Sequence, residues 1–111
     1  MTDKRPWGSF QIFESKKDYW IKKITVKPGK KLSLQYHKHR EEDWVIVKGT
    51  GIITRQTTRE EVRAGNHYHI PCFVLHRIEN TGTSDLVFLE LARGTPKESD
   101  IIRVEDDYGR A

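Results

Sequence analysis

Residues 27–49 read KPGKKLSLQYHKHREEDWVIVKG, and the fold turns on this stretch. Pro28-Gly29 opens it as a turn pair, and Gly49-Thr50-Gly51 lets the chain reverse after it. Between them Leu32, Leu34 and Tyr36 alternate with Lys31, Ser33, Gln35 and His37. A period of two places Lys31, Ser33, Gln35 and His37 on one face of a strand. Gln35, His37, His39 and Glu42 crowd into eight residues, and a metal could be held by three of the four.

Working outward, the chain resolves into short strand-like runs separated by turn residues. Met1–Arg5 reads as a polar lead and Pro6-Trp7-Gly8 as a turn. SFQIFE at 9–14 and YWIKKITVK at 19–27 read as strands, the lysines of the second marking a solvated face. After Gly51, strands are expected at 52–56, around 61–63, at 73–79 and at 85–92, the last an almost continuous apolar run suited to the centre of a sheet. A further short strand is expected at 100–104, with room for a helical turn at the acidic C-terminal end. No stretch of ten residues shows a capped 3.6-residue period. Eight or more short strands point to an all-β sandwich or barrel, taken as one domain over residues 1–111.

Composition narrows the function classes. The net charge is +4, but the basic residues are dispersed and no basic helix accompanies them, so nucleic acid is not an expected partner. No run of 18 apolar residues and no secretory leader pattern is present, which excludes a membrane partner and makes the cytoplasm the expected location. Cys72 is the single cysteine, so neither a disulfide framework nor a thiolate cluster is available.

A strand-borne metal site needs donors at i and i+2 on one face and others from neighbouring strands. Gln35 and His37 meet the first condition, Glu42 begins the next strand, and His76 is the natural fourth donor from the second half of the chain. His39 shares their parity but is expected at the loop mouth. The spacings Gly29-x5-Gln35-x-His37-x4-Glu42-x6-Gly49 and Gly65-x5-Pro71…His76-x3-Asn80 resemble the two motifs of the cupin superfamily. Glutamine stands in place of the usual first histidine, and Phe73 in place of an internal glycine. RPWG at 5–8, KPG at 27–29, LSLQ at 32–35, IP at 70–71, HR at 76–77 and DDYGR at 106–110 resemble more narrowly the type II phosphomannose isomerase family, in which such a domain commonly follows a mannose-1-phosphate guanylyltransferase domain.

The resemblance implies a double-stranded β-helix, or jelly-roll barrel. It implies metal ligands Gln35, His37, Glu42 and His76, with zinc the expected ion, although such N/O donors also suit manganese, cobalt, nickel or iron. It implies interconversion of mannose 6-phosphate and fructose 6-phosphate, with a non-catalytic or differently specific sugar-binding cupin as the alternative. For that reaction Arg40 is the candidate catalytic cation, two residues before Glu42. Ser33, Lys31 and Arg77 are candidates for the phosphate of a small sugar-phosphate partner. His69, Glu79 and a metal-bound hydroxide are candidate bases. A homodimer is expected, with Trp7 and Trp20 supplying the apolar face of an exposed sheet. One segment departs from the family: Glu90-Leu91-Ala92 and the loop to Ile101 replace a glutamine and a tyrosine-leucine pair.

Overall fold

A computed structural model describes residues 2–110. Eleven strands form two antiparallel sheets: β1 (Thr2–Arg5), β2 (Gly8–Ser15), β3 (Tyr19–Val26), β4 (Leu34–Tyr36), β5 (Arg40–Lys48), β6 (Gly51–Arg55), β7 (Thr58–Val62), β8 (His67–Ile70), β9 (His76–Glu79), β10 (Leu86–Gly94) and β11 (Ile102–Glu105). One sheet has the order β1-β2-β3-β10-β5-β8 and the other β11-β4-β9-β6-β7. The chain passes repeatedly between them, the jelly-roll arrangement expected of a double-stranded β-helix. There is no helix among the described residues, so none is long and apolar enough to cross a membrane.

The expected strands are present, but β7 begins already at Thr58, β8 is an additional strand, and three further differences have a physical reason. Residues 2–5 are not a loose lead but β1, registered on β2 from Thr2↔Gln11 to Arg5↔Gly8. The run at 73–79 enters the sheet only at His76, because Pro71 and a turn at residues 72–73 precede it. The acidic end forms turns after β11 rather than helix. β10 is central as expected, flanked by β3 and β5.

Alternation sends Trp20, Lys22, Ile24 and Val26 of β3 inward, with Leu86, Phe88, Glu90 and Ala92 of β10 and Arg40, Glu42, Trp44 and Ile46 of β5. The interior is therefore graded. One end is apolar, where Phe88 stacks on Trp44 at 4.5 Å between ring centroids and Ile46, Ile53, Ile78, Val62 and Leu86 close the core. The other end buries Lys22, Gln35, His37, Arg40, Glu42, His76 and Glu90. Lys22 thus corrects the expectation that the lysines of β3 mark a solvated face: its neighbour Lys23 has the opposite parity, and Lys22 itself is buried. Trp7 and Trp20 are likewise buried in the body of the barrel rather than exposed on a sheet.

Two turns show why particular residues are needed. Gly49 adopts φ +93° with the Asp85 carbonyl oxygen 2.5 Å from where a Cβ would sit, so β5 leaves the sheet hard against β10. Phe73, at the position where the resembled motif carries glycine, adopts φ 66°, the left-handed region that a bulky residue occupies only at a cost. Its N–H donates to the His37 carbonyl at 2.7 Å, and this bond holds the backbone there. Replacing Phe73 with glycine removes the steric penalty and keeps the bond. Phe73→Gly is expected to raise the unfolding free energy by about 1 kcal/mol, read as a higher urea midpoint at unchanged slope.

Candidate metal centre

β4, β5 and β9 deliver the site. Gln35 on β4 is registered directly opposite His76 on β9, which places both side chains on the inner face. His37 follows one pleat later, and Glu42 projects inward from β5. The donor atoms of His37, Glu42 and His76 all lie within 4.8 Å of one another, with His37 Nε2 3.3 Å from Glu42 Oε2. Sequence spacing anticipated this trio, and the structure brings it together.

Each imidazole is oriented from behind. His37 Nδ1 donates to the Asp100 carbonyl at 2.6 Å, and His76 Nδ1 donates to the Val74 carbonyl at 2.9 Å. A carbonyl only accepts, so in both rings the proton sits on Nδ1 and the lone pair on Nε2. For His76 that Nε2 is buried with no hydrogen-bond partner. Backbone-anchored imidazoles with their second nitrogens aimed at a common point are the arrangement a metal requires. Burial, the first cause for both, lowers the pKa of each imidazole from 6.5 to about 4, so both are neutral and able to ligate at neutral pH. Two imidazoles and a carboxylate thus fit a divalent cation. Gln35 lies beside them, its Oε1 accepting from Ser33 Oγ at 2.7 Å.

Arg40 is embedded in the same cluster. Its Nε donates to Glu42 Oε2 at 2.8 Å, one Nη donates to His37 Nε2 at 3.2 Å, and the other to the Lys97 carbonyl at 2.8 Å. The guanidinium also lies over the Trp20 ring, 4.6 Å from its centroid. Glu42 Oε1 accepts from Trp44 Nε1 at 2.9 Å, so both carboxylate oxygens are engaged.

A cavity of about 150 Å³ opens beside this cluster, and its walls include Ser33, Gln35, Arg40 and Glu90. Two expected phosphate ligands do not reach it. Lys31 is drawn to Glu79 and Asp107 at 4.0 and 3.6 Å, and Arg77 donates its Nε to the Leu32 carbonyl, turned from His76's face by strand alternation. The two side-chain candidates for a base also lie elsewhere. His69 lies exposed, hydrogen-bonded to Asp43 at 2.9 Å, while Glu79 pairs with Lys31 and Arg59. His39 is exposed, as expected for a loop-mouth residue.

The carboxyl group that does line the cavity is Glu90. Its Oε2 accepts from Trp20 Nε1 at 2.9 Å, and burial followed by repulsion from Glu42 raises its pKa from 4.5 to about 7. A glutamate at an inward position of an otherwise apolar strand was the available sequence signal for it. Asp100 was not foreseen either. Its carboxylate accepts from the backbone N–H groups of Lys38 and His39 at 2.9 and 2.8 Å, while its own carbonyl holds His37.

With that geometry established, comparison with known proteins places the chain. The mannose-6-phosphate isomerase C-terminal family matches residues 1–106. The chain belongs to this family. It is 41% identical over 107 residues to the xanthan biosynthesis protein XanB of Xanthomonas campestris, covering 96% of this chain and 23% of that protein. It is 39% identical over 107 residues to the mannose-1-phosphate guanylyltransferase ManC of Salmonella typhimurium, covering 96% of this chain and 22% of that protein. Among solved structures, the capsular polysaccharide assembling protein CapF of Staphylococcus aureus superposes with a TM-score of 0.80 at 22% identity, over 95% of this chain and 34% of that one, and supports the cupin fold.

These findings correct the expected activity. The matching relatives include proteins named as mannose-1-phosphate guanylyltransferases, the family domain is a C-terminal part, and this chain spans less than a quarter of the length of XanB or ManC. Interconversion of mannose 6-phosphate and fructose 6-phosphate is therefore not the activity assigned to this chain. What stands is a carbohydrate-related cupin, with enzymes as relatives and a His-Glu-His cluster able to hold a metal.

The shifted groups set a pH dependence for metal-free protein. Both histidines bind protons in the unfolded state below 6.5 but in the folded state only near pH 4, so each contributes stability that is lost as pH falls between those values. Glu90 acts oppositely: its folded pKa is raised, so its contribution is lost as pH rises from 4.5 through 7. Between pH 4.5 and 6.5 two protons on the unfolded side oppose one on the folded side, so stability should rise with pH at a slope of about one proton. Glu90→Gln should steepen that slope to about two, measured by urea titration of chelator-treated protein across the window.

Proposed function

We propose that the chain is a metal-binding cupin module of carbohydrate precursor metabolism that holds a small phosphorylated sugar against a divalent metal. The observation that carries this reading is the buried, unpartnered Nε2 of His76 converging with His37 Nε2 and Glu42. His37, Glu42 and His76 would hold the ion, and Gln35 is the neighbouring amide oxygen suited to a fourth position. Zinc is the ion we propose, because two neutral imidazoles and a carboxylate make a zinc-type donor set that leaves room for a ligand oxygen. Bound there, the ion would supply Lewis-acid polarisation of a carbonyl or hydroxyl oxygen.

The chain's own residues supply the rest. Arg40, already on Glu42 and His37, is a cation placed to balance negative charge developing on a bound oxygen. Glu90, poised near neutrality at the cavity wall, is placed to hold or release a proton. Ser33 and Gln35 offer hydrogen bonds to hydroxyl groups. The cavity wall carries five cations, Arg5, Lys22, Arg40, Arg103 and Arg110, against the carboxylates of Glu90 and Glu98, which favours an anionic ligand. The carbohydrate setting is supported by relatives named for xanthan biosynthesis and mannose-1-phosphate guanylyl transfer.

A metal competes with Arg40 for the lone pair of His37, and this gives the centre a distinctive test. Elemental analysis of purified protein should find about one zinc per chain, and His76→Ala should remove it. Arg40→Met should lower the stability of metal-free protein, by leaving Glu42 with a lost partner, yet tighten metal binding in a competition titration. Absence of stoichiometric metal in the unaltered protein overturns the assignment.

A second copy of the chain is the proposed macromolecular partner. The outer face of the β3-β10-β5 sheet carries Ile21, Leu89, Leu91 and Val45 as a contiguous apolar strip bordered by Asp43 and Arg93. Light scattering at micromolar concentration should give a dimer mass, reduced to the monomer by Leu89→Asp.

A further inference from the structure

The mouth of the cavity carries a charge pattern that the metal centre does not explain. Arg103 of β11 is registered directly opposite Gln35 of β4, which in turn faces His76 of β9. Directly opposed residues of antiparallel strands point to the same side, so His76, Gln35 and Arg103 form one inward row across three strands. Two strand spacings separate its ends, on the order of 10 Å. The metal donors mark one end, and a guanidinium marks the other.

That guanidinium is underused. Arg103 Nε is buried with no hydrogen-bond partner. Burial first, and then the neighbouring Arg110 and Arg5, depress its pKa, while Asp106 acts in the opposite sense. Arg110 is already clamped by Asp106, whose two carboxylate oxygens accept from its Nε and one Nη, each at 2.9 Å. Arg5 reaches in from β1 with its guanidinium over Phe10, 4.7 Å from the ring centroid, and among the described residues its side chain hydrogen-bonds only to the Lys4 carbonyl. Elsewhere on the wall, Lys22 is paired with Glu98 and Arg40 with Glu42. Uncompensated positive charge therefore collects on Arg103 and Arg5, with Arg110 beside them.

We propose that Arg103, Arg5 and Arg110 form a phosphate-monoester subsite at the cavity mouth, at the opposite end of this row from the metal centre. A dianionic tetrahedral group presents several acceptor oxygens. It can take the orphaned Nε–H of Arg103 together with N–H groups of Arg5, relieving both the unmet donor and the mutual repulsion. The inference rests on the phosphorylated-ligand reading above and replaces Lys31 and Arg77, which the fold holds elsewhere, with three arginines from the two ends of the chain. Those ends are brought to one place because β1 extends the edge of one sheet and β11 the edge of the other.

The test is calorimetric titration of inorganic phosphate, and separately of glucose 6-phosphate and glucose, into zinc-loaded and chelator-treated protein at low ionic strength. Arg103→Gln and Arg5→Gln should each weaken binding of inorganic phosphate about tenfold, the loss expected for one charge-assisted hydrogen bond, in both metal states. Glucose 6-phosphate should bind more tightly than inorganic phosphate in the zinc-loaded protein, and glucose more weakly than either. Arg5 is exposed, so its variant folds even if Arg103→Gln does not, and thermal melts report on both. Phosphate affinity unchanged in Arg5→Gln and in folded Arg103→Gln overturns the subsite, as does phosphate binding that vanishes with the metal and ignores the arginines. Elemental analysis of the same samples reads the metal centre independently. Loss of metal with arginine-dependent phosphate binding intact would sink the metal reading and leave the subsite standing.

Discussion

Burying a carboxylate inside a barrel is unfavourable unless every lone pair is used, and the accommodation of Glu42 governs the polar half of this molecule. Arg40 takes one oxygen and Trp44 the other, and His37 approaches the same oxygen that Arg40 binds. These contacts explain features that look unrelated in the chain. Trp44 must sit two residues after Glu42 so that its indole N–H returns to the carboxylate while its ring packs on Phe88. Arg40 must sit two residues before, on the same inward face. The guanidinium that neutralises Glu42 is itself oriented by the Lys97 carbonyl and the Trp20 ring, so charge balance at the site depends on a loop more than fifty residues away.

The barrel accepts such a cluster because its interior is graded. Phe88, Ile46, Ile53 and Ile78 form a dry end that supplies the hydrophobic stabilisation, and the charged end is placed where the cavity opens. Within β10 the change occurs between Phe88 and Glu90, two residues on one face, and within β3 between Ile24 and Lys22. Lys22 resolves its burial by pairing with Glu98 at 2.7 Å and lying over Trp20 and Phe10. The same strands thus serve stability at one end and hold the candidate site at the other, with no separate scaffold.

Sequence alone carried far into this arrangement where the governing signal is periodic or local. Alternation on β4 put Ser33, Gln35 and His37 on one face, and the spacing to Glu42 and His76 anticipated a cluster that the two sheets assemble. The turn at Gly49-Thr50-Gly51 was legible because glycine is required where backbone meets backbone. Legibility failed where a charge's destination is set by tertiary contact. Lys22 and Lys23 look equivalent in sequence, yet parity buries one of them. Arg77, a candidate for the phosphate by its place beside His76, is turned by alternation to the Leu32 carbonyl. Lys31 shares the face of Gln35 but is held by Glu79 and Asp107. Residues 2–5 showed no apolar alternation, because an edge strand is specified by its partner rather than by its own side chains.

The loop after β10 ties the buried polar residues together. Residues 95–101 contribute no strand, yet they supply the Lys97 carbonyl to Arg40, Glu98 to Lys22, and both the carbonyl and carboxylate of Asp100 to the His37 region. Two of these contacts, from the Lys97 and Asp100 carbonyls, use the backbone and do not depend on which side chains the loop carries. A loop of altered composition can therefore keep the histidine tautomer and the arginine pose while changing what it presents to a ligand. Backbone carbonyls thus hold the His37 ring and the Arg40 guanidinium, whereas the side chains of Glu98 and Ile101 line the cavity wall.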